Sequence, residues 1–419
     1  MKRCTVLALA CWLVSLFAVS AGAQDFYLKN GDTVVFYGDS ITAQNLYNQW
    51  VELYTVTRFP SMRVHFYGAG VGGDRVSGGI GGPIDERLSR DVFSHNPTVV
   101  TVMLGMNDGG YRPPSEEIDA TYTMGYEHLL ESIHAHEPGT RITLLGPSPF
   151  DDVTRPAEFA GGYNAVMVHF ADVDQALAKK FGCAYVSLNP PVLAALERGK
   201  ALDPLVSKLL LPDRVHPEML VHWVMAETLL KGWNAPSLVS SVTIDGAAAK
   251  VADAQNATVE NVERVKDGLQ WTETEKALPL AFNRKNENDA LLLELTDIEE
   301  QLNQEPLKVT GLAAGQYKLA IDDKPMGTFS SEELEKGINL ADYPTPMFQQ
   351  SQRVGWEVIA REKTHSIHMQ MQIKKLDPGD KEAKPDAMDA FENFLEDEIY
   401  ADATPKAHVF TVIPVGAQE

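Results

Sequence analysis

Cysteine is nearly missing from this sequence. Three occur in 419 residues, and two of them, Cys4 and Cys11, sit in an N-terminal stretch patterned like a removable leader. Cys183 is then alone, which excludes an internal disulfide framework. "GCAYVSL" reads as the start of a strand, so Cys183 is expected to be a small buried hydrophobe. A chain exported without disulfides must rely on its apolar core, and 44% apolar residues over this length supply one.

Positive charge is also scarce. Only 36 Lys and Arg stand against 58 Asp and Glu, for a formal charge of −22, and no basic stripe is present. Nucleic acid and anionic lipid are therefore poor partners, whereas neutral sugars and uncharged esters remain open. The 11 histidines form no H-E-x-x-H motif and no compact set with cysteine. His134 and His136 read as solvated residues near a helix end. Neither a metal nor a cofactor is expected.

Long apolar runs are missing beyond the N-terminus, so no later segment is expected to span a bilayer. The N-terminus has Lys2 and Arg3, an apolar stretch, then Ala21-Gly22-Ala23. That is the pattern of a secretory signal with an A-x-A cleavage site rather than a retained anchor. Residues 1–23 are expected to be removed, which places the mature chain in the periplasm or outside the cell.

What is present is an alternation. Strand-like runs at Val34–Tyr37, Val64–Tyr67, Val99–Leu104, Ile142–Leu145 and Ala184–Leu188 are separated by helical patterns such as Asn45–Thr57, Ser115–His136 and Tyr163–Phe181. A last helix is expected over Pro217–Lys231. This is the signature of an α/β domain, 24–236, with a parallel sheet covered on both faces. Ligands of such sheets lie beyond the carboxyl ends of the strands.

After Pro236 the character changes. "LVSSVTIDG", "LLLELTD", "LKVTGL" and "QYKLAIDDKPMGTF" read as short strands with Gly/Asp turns, a small β-rich unit over 237–330. A helical C-terminal region over 331–419 follows. In it Met388, Phe391, Leu395 and Ile399 recur at helical spacing, a packing face with carboxylates opposite. "KKLDPGDKEAKP" reads as a charged linker.

Chemistry concentrates in four turns. "VVFYGDSITAQ" ends a strand at Gly38-Asp39-Ser40. Alone, Ser40 would be read as a helix cap. "GAGVGGDRVSGGIGG", from Gly68 to Gly82, follows the second strand, and "LGMNDGG", from Leu104 to Gly110, follows the third. Together they bring a hydroxyl, a Gly-rich backbone with accessible N–H groups and the Asn107 amide to one sheet edge. Acyl transfer needs such a nucleophile and such oxyanion donors. Gly68, Gly70 and Gly73 also match the spacing of a dinucleotide cradle, but no acidic residue placed to bind a ribose completes it. The fourth turn, "LLPDRVHPEM", sets Asp213 three residues before His216. Pro217 keeps His216 off the helix, so a base and its carboxylate orienter could face a serine. Asp39 and Asp108 read as turn formers. Arg75, Tyr111 and Arg112 read as solvated loop residues close to the substrate.

The combination of Gly-Asp-Ser, a glycine in the second turn, Gly-x-Asn-Asp after the third strand and Asp-x-x-His-Pro before the last helix resembles the SGNH, or GDSL-type, hydrolase superfamily. The resemblance covers about residues 31–233. It implies a flavodoxin-like three-layer α/β/α sandwich. It also implies roles for single residues: Ser40 as nucleophile, with Asp213 and His216 completing a triad, and an oxyanion hole of Ser40, Gly73 and Asn107. Gly72 competes with Gly73 for the second donor. Val221-His222 stands where the family often has Gly-His. The resemblance further implies a serine esterase with no cofactor, acting on O-acyl groups, O-acetyl on carbohydrate foremost. A lysophospholipase or arylesterase is the alternative within the class. A carbohydrate-binding or scaffold protein with a vestigial site is the alternative outside it.

Overall fold

Val34, Val35, Phe36 and Tyr37 are all fully buried, as a strand covered on both faces requires. They form the middle of β1 (Asp32–Gly38) in a computed structural model that describes residues 25–374 and 387–416. The expected leader, and all but the first residue of the expected charged linker, lie outside the described residues.

β1 is joined by β2 (Val64–Gly70), β5 (Val99–Met103), β6 (Arg141–Gly146) and β7 (Ala184–Ser187); a short Gly hairpin, β3 (Gly78–Gly79) and β4 (Gly82–Pro83), lies between β2 and β5. The sheet runs β2-β1-β5-β6-β7, every pair parallel. The chain moves outward from β1 to β2, then crosses back to place β5 on the other side of β1. That reversal opens a crevice at the carboxyl ends of β1 and β5, where open α/β sheets bind ligands.

Helices α1 (Ser40–Ala43), α2 (Leu46–Arg58), α3 (Ile84–Asp91), α4 (Glu116–His136), α5 (Gly162–Phe181), α6 (Asn189–Leu202), α7 (Pro204–Leu210) and α8 (Met219–Gly232) flank the sheet. The central parallel sheet flanked by helices is the expected α/β sandwich. Ser115 caps α4 by accepting the Ile118 N–H. The last helix begins at Met219 rather than Pro217. The Pro217 carbonyl accepts the Gln44 amide and the Glu218 N–H donates to the Leu210 carbonyl, which holds this stretch in a turn. Cys183 is only partly buried, because β7 starts one residue later.

The C-terminal half contains β8 (Ser241–Asp245), β9 (Lys250–Gln255), β10 (Ala257–Val265), β11 (Gly268–Glu275), α9 (Glu287–Leu295), α10 (Ile298–Leu302), β12 (Pro306–Thr310), β13 (Gln316–Ile321), β14 (Lys324–Ser330), α11 (Ser331–Lys336), β15 (Ile338–Asn339), α12 (Pro346–Lys374), α13 (Ala387–Ala403) and β16 (Ala407–Pro414). One sheet runs β10-β11-β16-β13-β14 and another β15-β12-β8-β9. β16 is inserted between β11 and β13, so the expected boundary at residue 330 falls within one packing unit. "LLLELTD", read as a strand, lies largely in α9, which Asn286 caps through the Asn288 and Asp289 N–H groups. A short apolar run has no periodicity of its own to separate helix from strand.

α13 also differs from its expectation. It buries Glu392 and Glu396 beside Ile399 and Tyr400, and exposes Phe391 and Phe394. The reason lies across the interface. Glu392 accepts from His365 and His368 of α12, and Glu396 meets Arg63 and His65 of the first domain. A wall of hydrogen-bond donors, three histidines and Arg63, thus selects the acidic face. α12 is tied to α2 by Arg361, whose guanidinium grips Glu52 at 2.9 and 2.7 Å with all three residues buried. The third of these is Glu362, 2.5 Å from the same guanidinium.

Candidate active site

Asp39, not Ser40, is the cap of α1. Its carboxylate accepts the Ile41 N–H at 2.9 Å, so the capping demand at this helix start is met without the serine. The Ser40 hydroxyl is left to face His216, whose Nε2 lies 2.8 Å from Oγ. Burial lifts the Asp39 carboxyl to about 7.

The first three turns leave the sheet at one level, because Gly38 is in register with Gly70 on one side and with Met103 on the other. Gly70 lets α1 press onto the end of β2: a Cβ there would lie 2.2 Å from the Ala43 nitrogen. In the turn that follows, the Asp74 N–H donates to the Val71 carbonyl, and Gly73 has φ +72°, a conformation suited to glycine. Neither the Ser40 N–H nor those of Gly72 and Gly73 donate to a partner among the described residues. The Asn107 side chain is held against this turn, its Nδ2 donating to the Asp74 carbonyl at 3.0 Å. Asp108 fastens the second and third turns together by accepting the Val76 and Gly105 N–H groups, and burial lifts its carboxyl to about 6.

His216 lies in the turn before α8. Its Nδ1 is 2.6 Å from Asp213 Oδ2, and Asp213 Oδ1 accepts the Val215 and His216 N–H groups at 3.0 and 2.8 Å. Burial raises the Asp213 carboxyl, but these bonds outweigh it and hold it below the usual carboxylate range. With Nδ1–H donating to the carboxylate, Nε2 is the lone-pair nitrogen, able to accept the Ser40 proton. The pair is open to solvent: the His216 and Asp213 side chains are 39% and 55% exposed.

Several residues that frame this arrangement carry no signal in the sequence. Gln44, in the turn after α1, donates to the Pro217 carbonyl at 3.1 Å and accepts from His222 at 3.1 Å, tying the serine's helix to the histidine's turn. His222 is buried, and burial drives its ring down to about 3, so it stays neutral. Arg155 donates to the Leu211 and Pro212 carbonyls and pairs with Asp151, which pins the loop ahead of Asp213. Beneath the oxyanion turns, fully buried Arg87 lies between Asp74 and Asp91, donates to the Ala69 carbonyl at 2.7 Å and stacks over Tyr37. Of the loop residues expected to be solvated, Arg75 is exposed, whereas Tyr111 donates to the Asn107 amide oxygen at 3.1 Å.

A cavity of about 220 Å³ lies elsewhere, under edge strand β2, lined by His95, His365, His368, Glu392 and others but not by Ser40 or His216. No group of three or more His, Cys, Asp and Glu is arranged to hold a metal among the described residues. No helix among them is long and apolar enough to cross a membrane.

A serine, a histidine and an aspartate hydrogen-bonded in series at the switch point of a parallel α/β sheet is an arrangement that hydrolases use for acyl transfer. Residues 36–223 match the GDSL-like lipase/acylhydrolase family. The chain therefore carries a domain of the GDSL-like, or SGNH, family and is a carboxylic ester hydrolase, an acyl esterase. A gut microbial diltiazem-metabolizing enzyme is similar over 94% of this chain and 100% of its own, at 26% identity and a TM-score of 0.81. An acetylxylan esterase from Geobacillus stearothermophilus is similar over 50% of this chain and 96% of its own, at 20% identity and a TM-score of 0.40. An α/β hydrolase from the metagenome of Lake Arreo, Spain, covers 50% and 98%, at 23% identity and a TM-score of 0.38. No curated protein matches the chain.

Proposed function

We propose that this esterase works through a covalent acyl-enzyme on Ser40 and removes short acyl groups, acetyl foremost, from carbohydrate. The single observation that carries the mechanism is the hydrogen-bonded series Ser40–His216–Asp213. His216 Nε2 takes the Ser40 proton as Oγ attacks the ester carbonyl. The oxyanion is met by the Ser40 and Gly73 N–H groups and by the Asn107 amide. His216 then protonates the leaving alcohol, and the same nitrogen activates the water that releases the acid. Asp213 holds the tautomer and stabilises the imidazolium. A metal or cofactor has no step to perform.

The substrate class rests on the shape of the site. His216 and Asp213 stand open to solvent rather than at the bottom of a tunnel, and the turns carrying Gly73 and Asn107 are polar and Gly-rich. An open polar site admits a bulky alcohol such as a polysaccharide and gives a long acyl chain little apolar surface, at about 0.8 kcal/mol per buried CH₂. The signal-like pattern of the N-terminal sequence supports an enzyme that acts outside the cytoplasm, where such polymers are met.

Acetate release from acetylated polysaccharides, measured beside synthetic esters of increasing acyl length, tests this reading. Acetyl esters are expected to give the highest kcat/KM. A steady rise toward octanoyl and longer esters, with no deacetylation of any polysaccharide, would move the assignment to a lipid-type esterase.

A further inference from the structure

We propose that Tyr111 is a positioning residue for the oxyanion amide: its hydroxyl locks the Asn107 side chain with one N–H aimed at the reacting carbonyl. The inference rests on the oxyanion role proposed above for Asn107.

An amide side chain can sit in two orientations, and only one of them donates. Asn107 Nδ2 lies 3.0 Å from the Asp74 carbonyl. Turned over, its own carbonyl oxygen would face that carbonyl, two acceptors with no proton between them. The Asp74 carbonyl therefore selects the orientation and uses one of the two N–H bonds. Tyr111 holds the other end: its hydroxyl donates to Asn107 Oδ1 at 3.1 Å. With both ends held, the remaining N–H has a fixed direction. A hydrogen bond accepted at the amide oxygen also polarises the amide and makes its N–H a stronger donor.

Tyr111 is itself held in an unusual state. Its φ is +55°, in the left-handed region that a bulky residue seldom adopts and that persists only where surroundings enforce it. The surroundings here are aromatic. The Tyr111 ring packs 5.0 Å from Tyr163 and 6.1 Å from Phe150, centroid to centroid. Tyr163 is fastened to the same turn as Asn107 by donating to the Met106 carbonyl at 2.7 Å. Tyr111 is 42% exposed as a residue, so a freely solvated tyrosine is the plain alternative; the backbone conformation and the hydroxyl's partner argue against it. Burial, with the negative charges of Asp39 and Asp213, holds the phenol above its ordinary pKa. The hydroxyl therefore keeps its proton at neutral pH.

The test is a double-mutant cycle on Tyr111→Phe and Asn107→Ala, with synthetic acetyl esters as substrate and active sites counted by stoichiometric fluorophosphonate labelling. Tyr111→Phe removes only a hydroxyl and keeps the ring packing, and counting sites restricts kcat to folded molecules. Tyr111→Phe is expected to lower kcat roughly fivefold to tenfold, the loss of one hydrogen bond, while leaving KM nearly unchanged. Asn107→Ala is expected to lower kcat by about 10²–10³. In the Asn107→Ala background, Tyr111→Phe is expected to cost nothing further, because the group it positions is gone. Unchanged kcat in Tyr111→Phe beside a damaged Asn107→Ala would overturn the positioning role alone. So would an equal loss from Tyr111→Phe in both backgrounds. An Asn107→Ala variant with full kcat would overturn the oxyanion reading and this inference with it.

Discussion

Ser40 and His216, 176 positions apart in sequence, meet at 2.8 Å through Oγ and Nε2. No local preference brings them together; the order of the sheet does, with Gln44 fastening one turn to the other. If the pair acts as a unit, Ser40→Ala and His216→Ala should be about equally damaging, each lowering kcat by on the order of 10⁶. Asp213→Ala should cost less, about 10⁴, since Asp213 orients the ring and moves no proton. Steady-state kinetics and fluorophosphonate labelling read both effects. Labelling of Ser40→Ala at the wild-type rate would remove Ser40 from the mechanism.

The residues of this site differ in how plainly the sequence announces them. Ser40, Asp213 and His216 stand in short motifs whose local chemistry is distinctive: a strand-ending Gly-Asp-Ser, and an Asp-x-x-His held off a helix by Pro217. Their meeting could be expected once the strands were counted. Gln44, Arg87 and Arg155 could not be found this way, because each acts on a backbone group or side chain that only the folded chain brings near, whereas Tyr111 stands in the Asn107 turn and only its hydrogen bond was hidden. Glu392 and Glu396 show the opposite failure. An amphipathic pattern assumes that the partner surface is apolar, and here His365, His368, Arg63 and His65 line it with polar donors. The five strands of the first sheet were legible because their short β-branched and aromatic runs alternate with helical patterns. The run Leu291–Leu295 was not, being short enough to suit either state.

Asp39 lies directly below the nucleophile yet is placed to cap rather than to react. Asp39→Asn keeps an oxygen for the Ile41 N–H and should retain labelling at Ser40 and most of kcat. Asp39→Ala loses the cap and should cost about 1 kcal/mol of stability, seen as a lower urea midpoint. An inactive, fully folded Asp39→Asn would show that the carboxylate itself takes part in the chemistry.

Arg361 is the buried tie between the C-terminal half and the first domain, sharing its guanidinium between Glu52 and Glu362 and donating to the Phe66 carbonyl at 3.0 Å. Arg361→Ala would strand two carboxylates where water cannot reach them, at an expected cost of about 3–5 kcal/mol. Replacing all three by well-packed Met, Leu and Leu should recover much of that loss, since a buried ion pair gains little over an apolar contact. Chemical denaturation of the full chain distinguishes the cases. An Arg361→Ala variant as stable as wild type would mean that α12 does not depend on this contact.

Glu273, Glu275 and Glu305 are buried together in the C-terminal half, with Trp271 donating to Glu273 at 2.9 Å and Ser240 to Glu275 at 3.2 Å. Burial first, then the neighbouring Glu275 charge, raise the Glu273 carboxyl from 4.5 to about 8, and burial raises its two neighbours as well. A carboxyl raised on folding binds more protons in the folded chain than in the unfolded one. Stability from Glu273 is therefore fully present below pH 4.5 and is lost as pH rises through about 8. Gln is neutral throughout and can still accept the Trp271 N–H. Glu273→Gln should lie close to wild type near pH 5 and exceed it by a few kcal/mol above pH 8, a difference in which titrations remote from this cluster cancel. Urea midpoints at the two pH values measure it. If the two curves ran parallel from pH 5 to above pH 8, Glu273 would be ionised in the folded protein, and a cation would have to be found beside it.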